Sequence, residues 1–90
     1  MRKLAKRCGR QNPSGGWPQI DSTAYIDPTA QVIGKVLIGP RVFVAPYAVI
    51  RADEIGESGE VEPIEIGPDS NIQDGVIVHS LGGEPVFTGE

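Results

Sequence analysis

Residues 20–55 read IDSTAY IDPTAQ VIGKVL IGPRVF VAPYAV IRADEI. Written in sixes, every block opens on an aliphatic residue: Ile20, Ile26, Val32, Ile38, Val44 and Ile50. Four residues after most of these anchors stands a small or β-branched side chain: Ala24, Ala30, Val36, Val42 and Ala48. A six-residue period matches neither the 3.6 of an amphipathic helix nor the two-residue alternation of a single strand. It is the hexapeptide spacing of a parallel β-helix. Three hexads make one triangular coil, so residues 18 apart stack: Ile20 under Ile38, Ile26 under Val44, Val32 under Ile50. Gly34, Gly39, Pro40 and Pro46 fall near the corners, where backbone freedom or a fixed φ is useful. Such an all-β fold has no cleft of its own. Function must come from an insertion, from outward side chains or from assembly.

The period breaks once and resumes at Ile66, Ile72 and Val78, with Ser70 and Val76 at the following small positions. The step from Ile38 to Ile66 is 28 residues, one 18-residue coil plus ten. Residues 56–65, GESGEVEPIE, are therefore expected to bulge from a corner as a loop. They carry Glu57, Glu60, Glu62 and Glu65, a solvated acidic loop or, beside a site, a proton relay. Residues 66–83 make the third coil and 84–90 a short C-terminal end without a covering helix. Repeat folds need about three or more repeats and a cap at each end, and an open sheet edge is an aggregation liability. The expectation is a truncated β-helix, part of a longer one, or an edge covered by another chain.

Residues 1–19 read as a basic N-terminal arm. Arg2, Lys3, Lys6, Arg7 and Arg10 give the first ten residues a charge of +5 with no acid, while the rest of the chain carries all 12 acids against Lys35, Arg41 and Arg51. The head is a solvated end, a flexible arm or the remnant of an Arg-rich transit peptide. A body this acidic argues against nucleic acid as a partner, because the phosphate contact needs a basic face. Asn-Pro-Ser-Gly-Gly at 12–16 is a linker signal, and Trp17 is expected to cap one end of the core. Cys8 is the only cysteine, so no internal disulfide forms. No apolar run approaches the roughly 18 residues of a membrane span, and the first residues lack the apolar stretch expected of a secretory signal. A cytoplasmic location is expected, with a carboxysome or mitochondrion as alternatives.

Strand side chains alternate, so the residue after each anchor faces outward. That puts Arg51, Gln73 and His79 on the surface. Because Ile50 and Val78 stack, Arg51 and His79 share one outer face, about 4.8 Å apart by strand spacing. Gln73 lies on the preceding face with Asp74 beside it, and Asp53 and Glu54 run on from Arg51 toward the acidic loop. A lone histidine is ordinarily just solvated, and catalytic zinc takes three protein ligands. With no second histidine, composition alone argues against a complete metal site.

The local strings add to this. Ile50-Arg51-Ala52-Asp53-Glu54, then Ile66-Gly67-Pro68-Asp69-Ser70-Asn71-Ile72-Gln73-Asp74-Gly75-Val76-Ile77-Val78-His79, closely resemble the γ-class carbonic anhydrase family, as does Tyr25-Ile26-Asp27-Pro28-Thr29-Ala30 with Val32-Ile33-Gly34. The resemblance spans roughly residues 17–87. It implies a left-handed parallel β-helix, a homotrimer, and a zinc or iron ion held by three histidines at each subunit interface. His79 then matches a metal ligand, and Asn71 and Gln73 the residues that orient hydroxide and substrate. Glu54 matches an acid used in proton transfer. Arg51, Asp53 and Asp74 match ion-pair residues at the trimer contact. Glu84 falls near a second proton-shuttle region, but the loop lengths differ. The implied reaction is hydration of carbon dioxide to bicarbonate, the metal lowering the pKa of bound water from about 15.7 toward 7.

The sequence departs from the family in one respect: the two further metal-binding histidines come later in the family's chain, in coils this sequence does not reach, and one of them reaches the metal from a neighbouring subunit. The chain supplies one of three ligands, and trimerisation brings only one histidine to each interface. By itself it is expected to be inactive. The alternatives are a non-catalytic assembly subunit of the same family and a hexapeptide acyltransferase. The acyltransferase would need its catalytic histidine in an extended loop.

Overall fold

The computed structural model describes residues 9–13, 15–56, 59–80 and 86–88. They form eleven short strands and, among the described residues, no helix. In chain order these are β1 (Gly9–Arg10), β2 (Gln19–Ile20), β3 (Tyr25–Ile26), β4 (Gln31–Gly34), β5 (Val36–Ile38), β6 (Phe43–Val44), β7 (Val49–Ala52), β8 (Ile64–Ile66), β9 (Asn71–Ile72), β10 (Ile77–His79) and β11 (Val86–Thr88). They stack into three parallel sheets: β1-β4-β7-β10, β2-β5-β8-β11 and β3-β6-β9. The architecture is a short left-handed parallel β-helix of about three coils.

The register is the one the hexads dictate. Ile20 pairs with Ile38, Ile26 with Val44 and Val32 with Ile50. Across the insertion the 28-residue step holds, with Ile38 on Ile66, Val44 on Ile72 and Ile50 on Val78. The anchors and the small positions together form one core column, in which Val32, Val36, Val44, Ala48, Ile50, Ala52 and Ile64 are fully buried. The narrow prism interior explains the alternation of large and small residues. In the third coil the pattern loosens, since Val76 is exposed and Val78 only partly covered.

The corners explain the prolines. Arg41, Tyr47 and Asp69 have φ near +60° and each follows a proline, the arrangement of a type II turn. Holding a non-glycine residue in this region costs about 1–2 kcal/mol, and a hydrogen bond to the coil before offsets it at each position. The Arg41 and Tyr47 N–H groups donate to the hydroxyls of Thr23 and Thr29, both at 2.9 Å. The Asp69 N–H donates to the Pro40 carbonyl at 3.0 Å. Asp21 and Asp27 in turn accept from the backbone N–H and hydroxyl of Thr23 and Thr29. The Arg41 and Tyr47 corners are thus tied to the coil before by an Asp–Thr relay, and the Asp69 corner by a backbone bond alone.

Three expected boundaries move. Strand β1 pairs with β4, Gly9 on Val32, so part of the segment read as an arm is a rung of the β-helix. Trp17 is 49% exposed and does not cap the core; Gly9, Asn12 and Pro18 are buried there instead. The insertion lies between Ala52 and Ile64, because Gly34 pairs with Ala52 and Val36 with Ile64. Ile64 and Glu65, read as loop, belong to β8, and Ile64 fills the buried small position of its hexad. An antiparallel Ile55–Val61 bridge closes the bulge. Strand β11 pairs with β8, so the short C-terminal end also carries a rung. The basic residues 2–7, Cys8, Glu57 and Glu84 lie outside the described residues.

Truncating the central anchor, Ile50→Ala, is expected to cost about 2–5 kcal/mol, read as a lower denaturant midpoint. Acid sensitivity follows from the corners. Thr29 and Thr23 hold the Asp27 and Asp21 carboxyls below their ordinary range through their hydroxyl and N–H donors, and the Arg41 guanidinium does the same for Asp69. A carboxyl depressed in the folded state stabilises it fully above the unfolded pKa, about 3.9. That stability is lost as pH falls through the lower folded value. Denaturant midpoints are therefore expected to be flat with respect to these groups above about pH 5 and to fall below about pH 4. Asp21→Asn with Asp27→Asn should flatten that acid limb.

Candidate functional site

The functional candidates collect on the outer face of the sheet β1-β4-β7-β10. Along β7 the pattern is outward Val49, inward Ile50, outward Arg51, inward Ala52. Parallel pairing repeats it in β10, where His79 stands on Arg51 and Ile77 on Val49. β4 adds Ile33 under Arg51 and Gln31 under Val49. Two outward columns result: Ile33–Arg51–His79 and Gln31–Val49–Ile77. Ile77 is 70% exposed, and with Ile33 and Val49 it makes the surround of the polar pair apolar.

After Ala52 the chain leaves the sheet for the insertion, and this exit brings Glu54 back over β10. Its Oε2 lies 3.2 Å from His79 Nε2, with side-chain exposures of 41% and 27%. Asp53 Oδ1 lies 3.5 Å from Arg51 Nε, an ion pair too long and poorly aligned to be a hydrogen bond. Arg51 Nε is buried and finds no hydrogen-bond partner among the described residues, and neither does the buried hydroxyl of Ser80. An unsatisfied buried donor costs about 1–3 kcal/mol, which here only the charge of the nearby Asp53 carboxylate offsets among the described residues.

Four of the seven expected site residues therefore meet: Arg51, Asp53, Glu54 and His79. Asn71, Gln73 and Asp74 stand one corner earlier. Asn71 faces outward on β9 next to Phe43, and Gln73 and Asp74 enter the turn closed by the Val76 N–H to Gln73 carbonyl bond. All three are exposed, and their side chains make no hydrogen bond or ion pair within the described residues.

Among the described residues no group of three or more His, Cys, Asp or Glu side chains converges to hold a metal ion. His79 and Glu54 offer two donors where catalytic zinc takes three protein ligands. The residues present do not make a complete metal centre.

One residue at this corner escaped the sequence reading. Asn12, in the segment read as a linker, is 4% exposed and donates from Nδ2 to the Ala52 carbonyl at 2.9 Å. Asn-Pro followed by Gly-Gly signals a turn, but no local pattern says that a turn asparagine will bond 40 residues away.

No family model matches the chain. It is 48% identical over 88 residues to the carbonic anhydrase of Methanosarcina thermophila, covering 86% of this chain and 33% of that protein. It is 44% identical over 63 residues to the carboxysome assembly protein CcmM of Nostoc sp., covering 70% of this chain and 10% of that protein. It is 32% identical over 73 residues to the carnitine operon protein CaiE of Escherichia coli O157:H7, covering 81% and 34%. The chain thus spans about a third or less of the length of these relatives.

Proposed function

The chain belongs to the γ-class carbonic anhydrase family, and from that membership we propose that it supplies one side of a carbon dioxide–bicarbonate site between the subunits of a homotrimer. The observation that carries this reading is the in-register pair Arg51–His79 with the Glu54 carboxylate on His79 Nε2. In it His79 is one ligand of a zinc or iron ion whose other ligands lie outside this set of residues. Glu54 touches the imidazole and is exposed enough to pass a proton to water. Asn71 and Gln73 orient substrate, from a neighbouring face. Arg51, Asp53 and Asp74 hold the subunit contact. The Arg51 Nε, which has the Asp53 charge nearby but no hydrogen bond, and the apolar residues Ile33, Val49 and Ile77 support that placement: a second subunit could supply the acceptor and cover the apolar surface.

A second reading, a non-catalytic assembly subunit, is favoured by the single histidine and by the similarity to a carboxysome assembly protein. His79 sits within a regular strand rather than an extended loop, which leaves the acyltransferase reading without support. No helix among the described residues is long and apolar enough to cross a membrane.

Zinc titrated into the purified chain is expected to displace the His79 and Glu54 nuclear magnetic resonance signals weakly, and His79→Ala should abolish the effect. Equal binding by His79→Ala would remove His79 from the ligand set. Stoichiometric zinc retained through dialysis against a chelator would contradict a partial site. Carbon dioxide hydration by the chain alone should not exceed that of His79→Ala. For the contact, light scattering should show a trimer that Ile77→Lys dissociates; a monomeric wild type would sink the interface assignment.

A further inference from the structure

We infer that Asn12 is a positioning residue of this site: its side chain clamps the Ala52 carbonyl and so sets the path on which Asp53 and Glu54 leave the β-helix. The inference rests on the reading that the Glu54–His79 pair is the functional one.

The bond is specific in its polarity. Asn12 Oδ1 accepts from the Gly16 N–H at 2.8 Å and Nδ2 donates to the Ala52 carbonyl at 2.9 Å. One partner can only donate and the other only accept, so the amide has one satisfactory orientation. The backbone holds it there, the Asn12 N–H donating to the Gly16 carbonyl and the Gly15 N–H to the Asn12 carbonyl, both at 3.0 Å. The turn 12–16 thus presents a fixed amide to the interior rather than linking loosely to the coil.

The reach is built in as well. Asn12 follows the rung β1 and Ala52 ends β7, two rungs on; Gly34 of β4, the rung between them, is paired with Ala52. Gly34 has φ +83°, and a Cβ there would collide with the Ala52 carbonyl oxygen and come within 2.8 Å of Asn12 Nδ2. The missing side chain is the channel through which the amide passes. The Lys35 N–H also donates to the Ala52 carbonyl, at a longer 3.2 Å, so Asn12 makes the closer of the two bonds.

Position gives the clamp its consequence. Ala52 is the last residue of β7, directly between Arg51 and Asp53. Gly34 and Val36 are two residues apart at this corner, whereas their partners Ala52 and Ile64 are twelve apart. The chain therefore leaves the ladder at Ala52 with no rung to steer it, and Glu54 must still arrive 3.2 Å from His79 Nε2. A hydrogen bond on the Ala52 carbonyl fixes that peptide plane and with it the exit direction.

In the wild-type chain, a scalar coupling across the hydrogen bond is expected between Asn12 Nδ2 and the Ala52 carbonyl carbon. Asn12→Asp keeps the acceptor for Gly16 and removes the donor. It should displace the Asp53, Glu54 and Ile55 amide signals and the Glu54 carboxyl carbon while leaving the Thr29–Tyr47 corner in place. Ile26→Val, which weakens the core on another face, should lower stability without moving the Glu54 signals. Should Asn12→Asp fail to fold, Asn12→Ala, which removes the donor to Ala52 without burying a charge or touching the Ala52 peptide, serves as the second variant. Absence of the coupling, or Glu54 signals unmoved in a folded variant, overturns the inference. If zinc leaves His79 untouched while the coupling is present, the clamp stands and the metal-site reading falls.

Discussion

The structure depends on one constraint, the in-register stacking of one coil on the next. Each strand is only two to four residues long and holds few hydrogen bonds of its own, so it is defined by the strands above and below it. A slip of one residue would turn Ile50 outward and Arg51 into the core. The aliphatic column prevents this, because its large and small positions interlock only in one phase. The corner ties from Thr23 to Arg41 and from Thr29 to Tyr47 enforce the same phase from outside.

The site is a product of that register together with its interruption. Stacking alone puts His79 on Arg51. Glu54 comes from residues that stack on nothing, delivered by the exit at Ala52. The corner after this sheet is lengthened three times, between Arg10 and Gln19, between Ala52 and Ile64 and between His79 and Val86, and tight at Gly34–Lys35. The first of these excursions returns an amide to the carbonyl from which the second departs. A β-helix without a cleft thereby gains a local arrangement of three polar side chains at one edge of a flat face.

Much of this was legible in the chain. Ile20 to Ile50 and Ile66 to Val78 show the period, its break and the ten-residue length of the insertion, because stacking is periodic and the period is written in side-chain size. The shared face of Arg51 and His79 follows from counting. The exact bounds of the insertion did not: Ile64 and Glu65 follow a Glu- and Pro-rich stretch and look like loop, yet Ile64 fills the core position above Val36. Gly9 and Arg10 carry no hexad mark, and only pairing with Val32 and Ile33 makes them a rung.

The sequence by itself determined the coil, its register and the outward column that holds Arg51 and His79, since these follow from spacing along one chain. Only the tertiary structure decided that Glu54 meets His79, that Trp17 is exposed and that Asn12 reaches Ala52. Those outcomes depend on where irregular backbone returns and on which side chain a glycine lets past. They are contacts between segments with no common period, and no repeat encodes them.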